Sequence, residues 1–409
     1  MNKRMLTNDP QGKTLTFYII AHTLTSGIMG GDLKICIEFV RRWIRAGNKI
    51  TIITSEDGIS VCQKYGIHAS YLAVPSVKFR KLGRPLLYLI QAVLTIIISG
   101  TIEEESSHVV YSASNFWCDV LPAFWIKKRK KCTWIGTSFL PIPHLFKGFD
   151  SAYEKGTLSW PNPKIAALFI FQRLSDMILS KHSDAVLVTN DLDKSSFIRL
   201  GVKPERLMAI YGGVDHEAIS AIPEQKKEFD GVFVGRLHPQ KGLLYLVDIW
   251  DRVCKRRNGA RLALIGSGDR DYFLRILHEI RNRRLENHVK VFGFMDGDDK
   301  YRILKSSRVF LHTPVYDNSG MAAAEAMACG LPAVRFDLPP LRVAYPKGML
   351  IAPLKNCQAF ADAILNLLSN PALYNRIANE AIETTKSWNW NIRAEKTFEL
   401  IKTTVEESR

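Results

Sequence analysis

Residues 308–336 read RVFLHTPVYDNSGMAAAEAMACGLPAVRF. Arg308–His312 and Pro332–Phe336 are short apolar runs with the look of buried strands. Between them lies a polar loop, Asp317, Asn318, Ser319 and Gly320, and then a stretch with the composition of a helix, Ala322 to Ala328. Strand, loop, helix and strand in so few residues read as one turn of a parallel sheet with a right-handed crossover.

The same alternation continues in both directions. Toward the N-terminus it predicts strands at Val289–Phe292, Arg261–Gly266 and Gly231–Gly235. Beyond a break it predicts Ala185–Thr189, Cys132–Gly136, Val109–Ser112, Lys49–Thr54 and Leu15–Ala21. Helical patterns lie between most of them, such as Asp32–Ala46, Leu243–Arg257 and Ala359–Leu368. Runs buried on both faces and separated by helices belong to parallel sheets. The expected fold class is α/β, with two doubly wound Rossmann-like domains. The joint is expected near 210–228, where Gly212-Gly213 and Pro223-Glu224-Gln225-Lys226-Lys227 break the pattern.

Composition fits two globular cores: 409 residues, 46% of them hydrophobic. Seven scattered cysteines without a CxxC pair suit a reducing cytosol, and ten histidines show no metal-ligand spacing. The start, MNKRMLTNDPQGKT, lacks the apolar centre of a signal peptide. Net charge is +16 and uneven: 27 Lys and Arg stand against 16 Asp and Glu in residues 1–210. Two basic clusters lie in that half, Lys78, Arg80, Lys81, Arg84 and the run Lys127–Lys131. The first flanks the apolar stretch Leu86–Ile98, which is shorter than the ~20 residues a bilayer span needs. It reads either as a buried helix or as a segment partly inserted in a membrane surface. An anionic membrane surface is therefore a candidate partner. No helix-turn-helix, zinc finger or aromatic-basic motif supports nucleic acid.

In such folds ligands sit where strands end and loops enter helices. The loop Ser26-Gly27-Ile28-Met29-Gly30-Gly31 follows the first strand. Its glycines permit positive φ and close backbone approach to an anion, and a plain strand-to-helix turn is the alternative. The loop Gly235–Gly242 carries Arg236, a bidentate fork, and Lys241, a point charge, both suited to a diphosphate. In the opening stretch Ser319 is the expected N-cap, leaving amides near Gly320 and Met321 for an anion. Ala322, Ala323 and Ala324 keep that helix surface low. Glu325 is placed to accept hydrogen bonds from a ribose diol. The acids Asp317 and Glu325 stand eight positions apart. Cations for phosphates and acids for hydroxyls match a sugar nucleotide.

This set resembles the retaining GT-B glycosyltransferases of family 4, the group 1 transferases. The similarity lies in Gly30-Gly31, in Gly235-Arg236-Leu237 with Lys241-Gly242, in Gly266-Ser267-Gly268, and in Glu325-Ala-Met-Ala-Cys-Gly-Leu-Pro332. The resemblance implies two domains facing a central cleft. Residues 1–210 would form the acceptor side, with 388–409 returning to it as a final crossing helix, and 211–387 would bind the donor. It implies that Arg236, Lys241 and Asp317 act in catalysis. It also implies that Gly30, Gly31, Gly320, Met321 and Glu325 join Arg236 and Lys241 in holding the donor. Asp317 replaces the first Glu of the family's Glu-x7-Glu pair. A histidine usual in the N-terminal domain is absent from Tyr111–Ser114 and Ile135–Ser138, where Ser114 or Ser138 could substitute.

The implied reaction moves a sugar from a nucleoside-diphosphate donor, the co-substrate, to an acceptor hydroxyl with retained configuration. No metal or other cofactor is required, because cations neutralise the leaving phosphate. The run Asp296-Gly297-Asp298-Asp299 reads as a helix N-cap instead of a metal motif. A lipid-linked or cell-envelope glycan is the expected acceptor, and the expected place is the cytoplasm or the inner face of a membrane. A sugar-nucleotide-binding subunit without turnover is the alternative. A dinucleotide-dependent oxidoreductase is disfavoured because no GxGxxG follows either domain's first strand.

Overall fold

The computed structural model describes residues 14–25, 30–102, 108–143, 145, 146, 148, 149, 152, 153 and 163–408. The described residues form thirteen strands in two wholly parallel sheets. The first unit comprises Met1–Pro141, Ala167–Ile210 and Asn391–Arg409; the second comprises Ile142–Ala166 and Tyr211–Trp390.

The first sheet is built from β1 (Thr16–Ile20), β2 (Lys49–Ser55), β3 (Ser70–Val74), β4 (His108–Ser112), β5 (Thr133–Ser138), β6 (Ala185–Val188) and β7 (Leu207–Ala209), in the order β3-β2-β1-β4-β5-β6-β7. The second contains β8 (Phe229–Val234), β9 (Leu262–Ile265), β10 (Val289–Gly293), β11 (Ser307–His312), β12 (Ala333–Phe336) and β13 (Met349–Ala352), in the order β10-β9-β8-β11-β12-β13. Strand order reverses between β1 and β4 in one sheet and between β8 and β11 in the other. Those are the points where an open parallel sheet takes ligands.

β11 shows why its sequence is continuously apolar. Val309 and Leu311 enter the core on one face of the sheet, and Phe310 enters the core on the other. All three are fully buried, contributing about 1.5–3 kcal/mol each. The middle of a strand covered on both sides favours apolar residues, and the polar Ser307 and His312 fall at its ends.

Three strands escape the sequence reading: β3, β7 and β13. All are outer strands. β3 is largely solvated, and β7 and β13 have only three and four residues. An edge strand buries less, so β3 shows no marked apolar run, while β7 and β13 are apolar but too short to stand out.

The helix Trp390–Glu407 joins the first unit from Asn391 onward. Trp43 Nε1 donates to the Ala394 carbonyl at 3.3 Å, and Arg42 Nε donates to Asn391 Oδ1 at 2.7 Å. Trp388 instead stacks on Tyr345 in the second unit's core, with centroids 5.0 Å apart.

The apolar stretch of the first unit forms the helix Arg84–Ile98, but it is not a buried helix. Gln91, Ala92 and Thr95 face inward, while Leu86, Leu89, Val93 and Ile97 face solvent. No described helix is long and apolar enough to cross a membrane.

Candidate functional site

In the second unit, the loops leaving β8 and β11 meet at the strand-order reversal. Their backbones interlock. The amides of Val315 and Tyr316 donate to the Gln240 carbonyl at 2.9 and 3.3 Å, and Thr313 Oγ1 donates to the Lys241 carbonyl at 3.1 Å. Gly242 makes this approach feasible. It is left-handed (φ +68°), and a Cβ there would lie 2.0 Å from the Thr313 carbonyl oxygen. A third loop joins through the Leu237 amide, which donates to the Ser267 carbonyl at 2.8 Å.

This interlock brings Lys241 and Asp317 together: Nζ lies 2.7 Å from Oδ2. Asp317 is buried, and its Oδ1 accepts the Asn318 amide at 2.8 Å. Burial alone would raise its pKa, but the Lys241 ammonium and His312 outweigh it and leave the carboxyl at about 2. His312 ends β11 with Nε2 3.5 Å from Asp317 Oδ2. Burial lowers its pKa to about 4, so the ring is neutral at physiological pH, and its Nε2 has no hydrogen-bond partner.

Glu325 lies on the helix Met321–Ala328 and is buried. Its Oε2 accepts from Lys300 Nζ at 2.8 Å, and Lys300 also donates to Asp296 Oδ1 at 2.9 Å. Burial opposes the charge on Lys300, but the two carboxylates overcome it and raise its pKa. Each motif acid therefore has its own lysine. Arg236 stands exposed on the loop that carries Lys241.

Several local expectations change. Ser319 is not the cap of its helix. Gly320 takes that position in a left-handed conformation (φ +60°), with no side-chain cap. The Tyr345 hydroxyl, 2.7 Å from the Gly320 carbonyl and 3.0 Å from that of Ser319, fastens the turn. Met321 and Ala322 open the helix, where first-turn amides lack intrahelical partners. Ala323 and Ala324 are fully buried, so their small size serves packing against the sheet instead of clearing a surface. Asp296 does flank the helix Gly297–Lys305, but its carboxylate serves Lys300 and caps no amide.

In the first unit, Gly30 is extended (φ −81°) and Gly31 begins the helix Gly31–Arg45, so neither adopts positive φ. Ser26–Met29 lie outside the described residues. Ser114 Oγ donates to Asp119 Oδ2 at 2.5 Å, and Ser138 Oγ to Asp176 Oδ1 at 3.2 Å. Burial raises Asp119 to about 7 and Asp176 to about 6.

A histidine does stand at the first sheet's reversal, outside Tyr111–Ser114 and Ile135–Ser138. His22 follows β1, with its amide 2.9 Å from Asp119 Oδ1 and its Nε2 2.7 Å from Thr95 Oγ1. It is fully buried, which lowers its pKa to about 3. Its place just past the first strand was the available signal. Lys300 gave none, since a lysine in a polar helix reads as solvated.

Two parallel-sheet domains of this topology are the architecture of GT-B glycosyltransferases. Residues 215–384, within the second unit, match the family described as Glycosyl transferases group 1. An uncharacterized glycosyltransferase of Methanocaldococcus jannaschii is 33% identical over 181 residues, which is 43% of this chain and 45% of that protein. The phosphatidyl-myo-inositol mannosyltransferase of Mycobacterium leprae is 26% identical over 204 residues, 47% of this chain and 53% of that one. The chain spans about half the length of these two relatives. Among solved structures, the sucrose-phosphate synthase of Thermosynechococcus elongatus has a TM-score of 0.72 at 16% identity, covering 95% of this chain and 98% of that one.

Proposed function

We propose that the chain is a retaining glycosyltransferase of family 4 that moves a sugar from a nucleoside-diphosphate donor to an acceptor hydroxyl. The observation that carries this is the meeting of Lys241 and Asp317 at the strand-order reversal, inside the segment that matches the transferase family. Lys241 and Arg236 take the diphosphate. Asp317, held ionised, takes sugar hydroxyls, and Glu325, fixed by Lys300, takes the ribose. Amides at Gly320 and Met321 add donors for phosphate oxygens. Gly30 and Gly31 keep the donor-binding role that the resemblance implies.

In the reaction the bond from the anomeric carbon to the diphosphate oxygen breaks. The acceptor oxygen bonds to that carbon from the same side. The acceptor proton passes to the departing phosphate, so no protein base and no metal is needed. Lys241 and Arg236 stabilise the charge that develops on the leaving group, a contribution worth about 10²–10³ in rate per donor group. A lipid-linked or cell-envelope glycan is the acceptor class, in keeping with the relative named for an inositol lipid, and the cytoplasmic face is the place of action.

A thermal-shift panel of nucleoside-diphosphate sugars tests the donor. A saturating donor at 100 times its Kd adds about 2.7 kcal/mol of stability. The donor that binds is then tested for turnover, with the anomeric configuration of the product read by NMR. No stabilisation by any donor would overturn the reading. Binding without release of nucleoside diphosphate would make the chain a non-catalytic binding subunit, and an inverted product would remove the retaining mechanism.

A further inference from the structure

The helix Arg84–Ile98 packs Ala92, Leu94 and Ile98 inward, yet it buries polar groups and exposes apolar ones. Gln91 and Thr95 point inward: Gln91 Nε2 donates to Ser76 Oγ at 3.1 Å, and Thr95 Oγ1 meets His22 at 2.7 Å. Its outer face is a stripe of Leu86, Leu89, Val93 and Ile97, exposed by 45, 44, 49 and 68%. The spacing of three, four and four residues puts all four on one side. Soluble proteins rarely leave so continuous an apolar row uncovered. From Pro85 to Ile102 there is no charged residue.

The preceding turn, Val77–Leu82, exposes Lys78, Arg80 and Lys81 together with Leu82. From Val77 to Ile98 the chain carries four basic residues and no acid. Next to it, the helix Trp117–Arg129 packs through Phe116 against Tyr88, with centroids 5.3 Å apart, and it exposes Trp125 with the Arg129 guanidinium 4.5 Å above its ring. An apolar stripe bordered by cations and by an exposed indole matches the interface of an anionic bilayer, with acyl chains below and charged headgroups beside them.

We infer that this face of the first unit docks on an anionic lipid surface, with Leu86, Leu89, Val93 and Ile97 entering the headgroup boundary and Lys78 and Lys81 binding lipid phosphates. The helix lies in the plane of the surface. At 15 residues it is about 22 Å long, short of the ~30 Å hydrocarbon thickness. Charge selects this occupant over a second copy of the chain, because two such faces would bring their own cations together. The inference gives the lipid-linked acceptor of the proposed function a place to be met. Docking needs no turnover, so the two readings fail separately.

The test is flotation of the full chain with vesicles of phosphatidylcholine alone and of phosphatidylcholine with phosphatidylglycerol. Binding is expected to the anionic vesicles only, and to weaken in high salt. Each basic residue near the surface accounts for roughly a fivefold change in partitioning. Lys78→Ala/Lys81→Ala should therefore bind about 25-fold more weakly, while Leu89→Asp/Val93→Asp should lose binding. All four side chains are exposed or half-exposed, so thermal melts should hold. Leu274→Asp, at an exposed leucine of the second unit, should bind like the unmodified chain. Equal binding to both vesicle types, no binding to either, or full binding by the aspartate pair would overturn the inference. So would a dimer in solution that the aspartate pair dissolves.

Discussion

Replacing Lys300 with methionine isolates what the buried lysine does. Its ammonium lies between Glu325 at 2.8 Å and Asp296 at 2.9 Å. The two acids would respond differently to its loss. The Asp296 side chain is 20% exposed and can turn to water; that of Glu325 is 11% exposed and has little room to do so. The cost is that of leaving one buried carboxylate unpaired, about 3–5 kcal/mol. In a unit of this size that lowers the midpoint of melting by roughly 10 °C. Adding Glu325→Leu removes the stranded charge and should recover most of the loss, although the proposed ribose contact would go with it. Glu325→Gln alone keeps a hydrogen bond to Lys300 and should cost little stability while weakening donor binding. The sign of the pH dependence follows from the raised Lys300 pKa. Its contribution is complete below the ordinary lysine pKa and is lost only as pH rises beyond it, so the stability gap should be level from pH 6 to 9. Urea titrations of the three variants at two pH values measure all of this. If Lys300→Met cost under 1 kcal/mol, or if the double variant were weaker than the single one, the pairing would carry no structural weight.

Further tests follow from other groups. Asp317 has its pKa depressed to about 2, so its stabilisation is present above the ordinary aspartate pKa and is lost as pH falls toward 2. Asp317→Asn should remove about 2 kcal/mol from the second unit at pH 7 and flatten its acid limb, as followed by circular dichroism. Gly242→Ala should destabilise by more than 2 kcal/mol, since it combines a left-handed backbone with a 2.0 Å approach to the Thr313 carbonyl; an unchanged melting curve would contradict the interlock. Asp119 runs the other way. Burial raises its pKa to about 7, so the native state loses stability as pH climbs from 4 to 7. Asp119→Asn should therefore gain relative to the unmodified chain at pH 8 and lose that advantage at pH 5. Lys241→Ala should lower kcat/KM about 10²–10³-fold, and a loss below threefold would remove Lys241 from the chemistry.

The two acids of residues 308–336 show where sequence reading reaches its limit. Residue type and chain order declared the strands, the loop and the helix, because burial on both faces of a parallel strand leaves a continuous apolar signature in Val309, Phe310 and Leu311. They also singled out Asp317 and Glu325 as candidates. What they could not declare was pairing. Lys241 reaches Asp317 only because β8 and β11 are neighbours in the sheet, and Lys300 reaches Glu325 only because the helix Gly297–Lys305 and the helix that carries the acid share one core on the same face of the sheet. Both lysines are far in sequence from these motif acids, and nothing local distinguishes a buried ammonium from a solvated one. The alanines mislead for the same reason: small residues suit an open surface and a tight core equally, and only the neighbouring sheet decides. His22 was overlooked because its partners, Thr95 and Asp119, are 73 and 97 positions away. The sites that local motifs announce are therefore half-sites. Each acid is completed by a cation from another element, and under the proposed function a charged ligand would exchange places with a partner the protein already supplies.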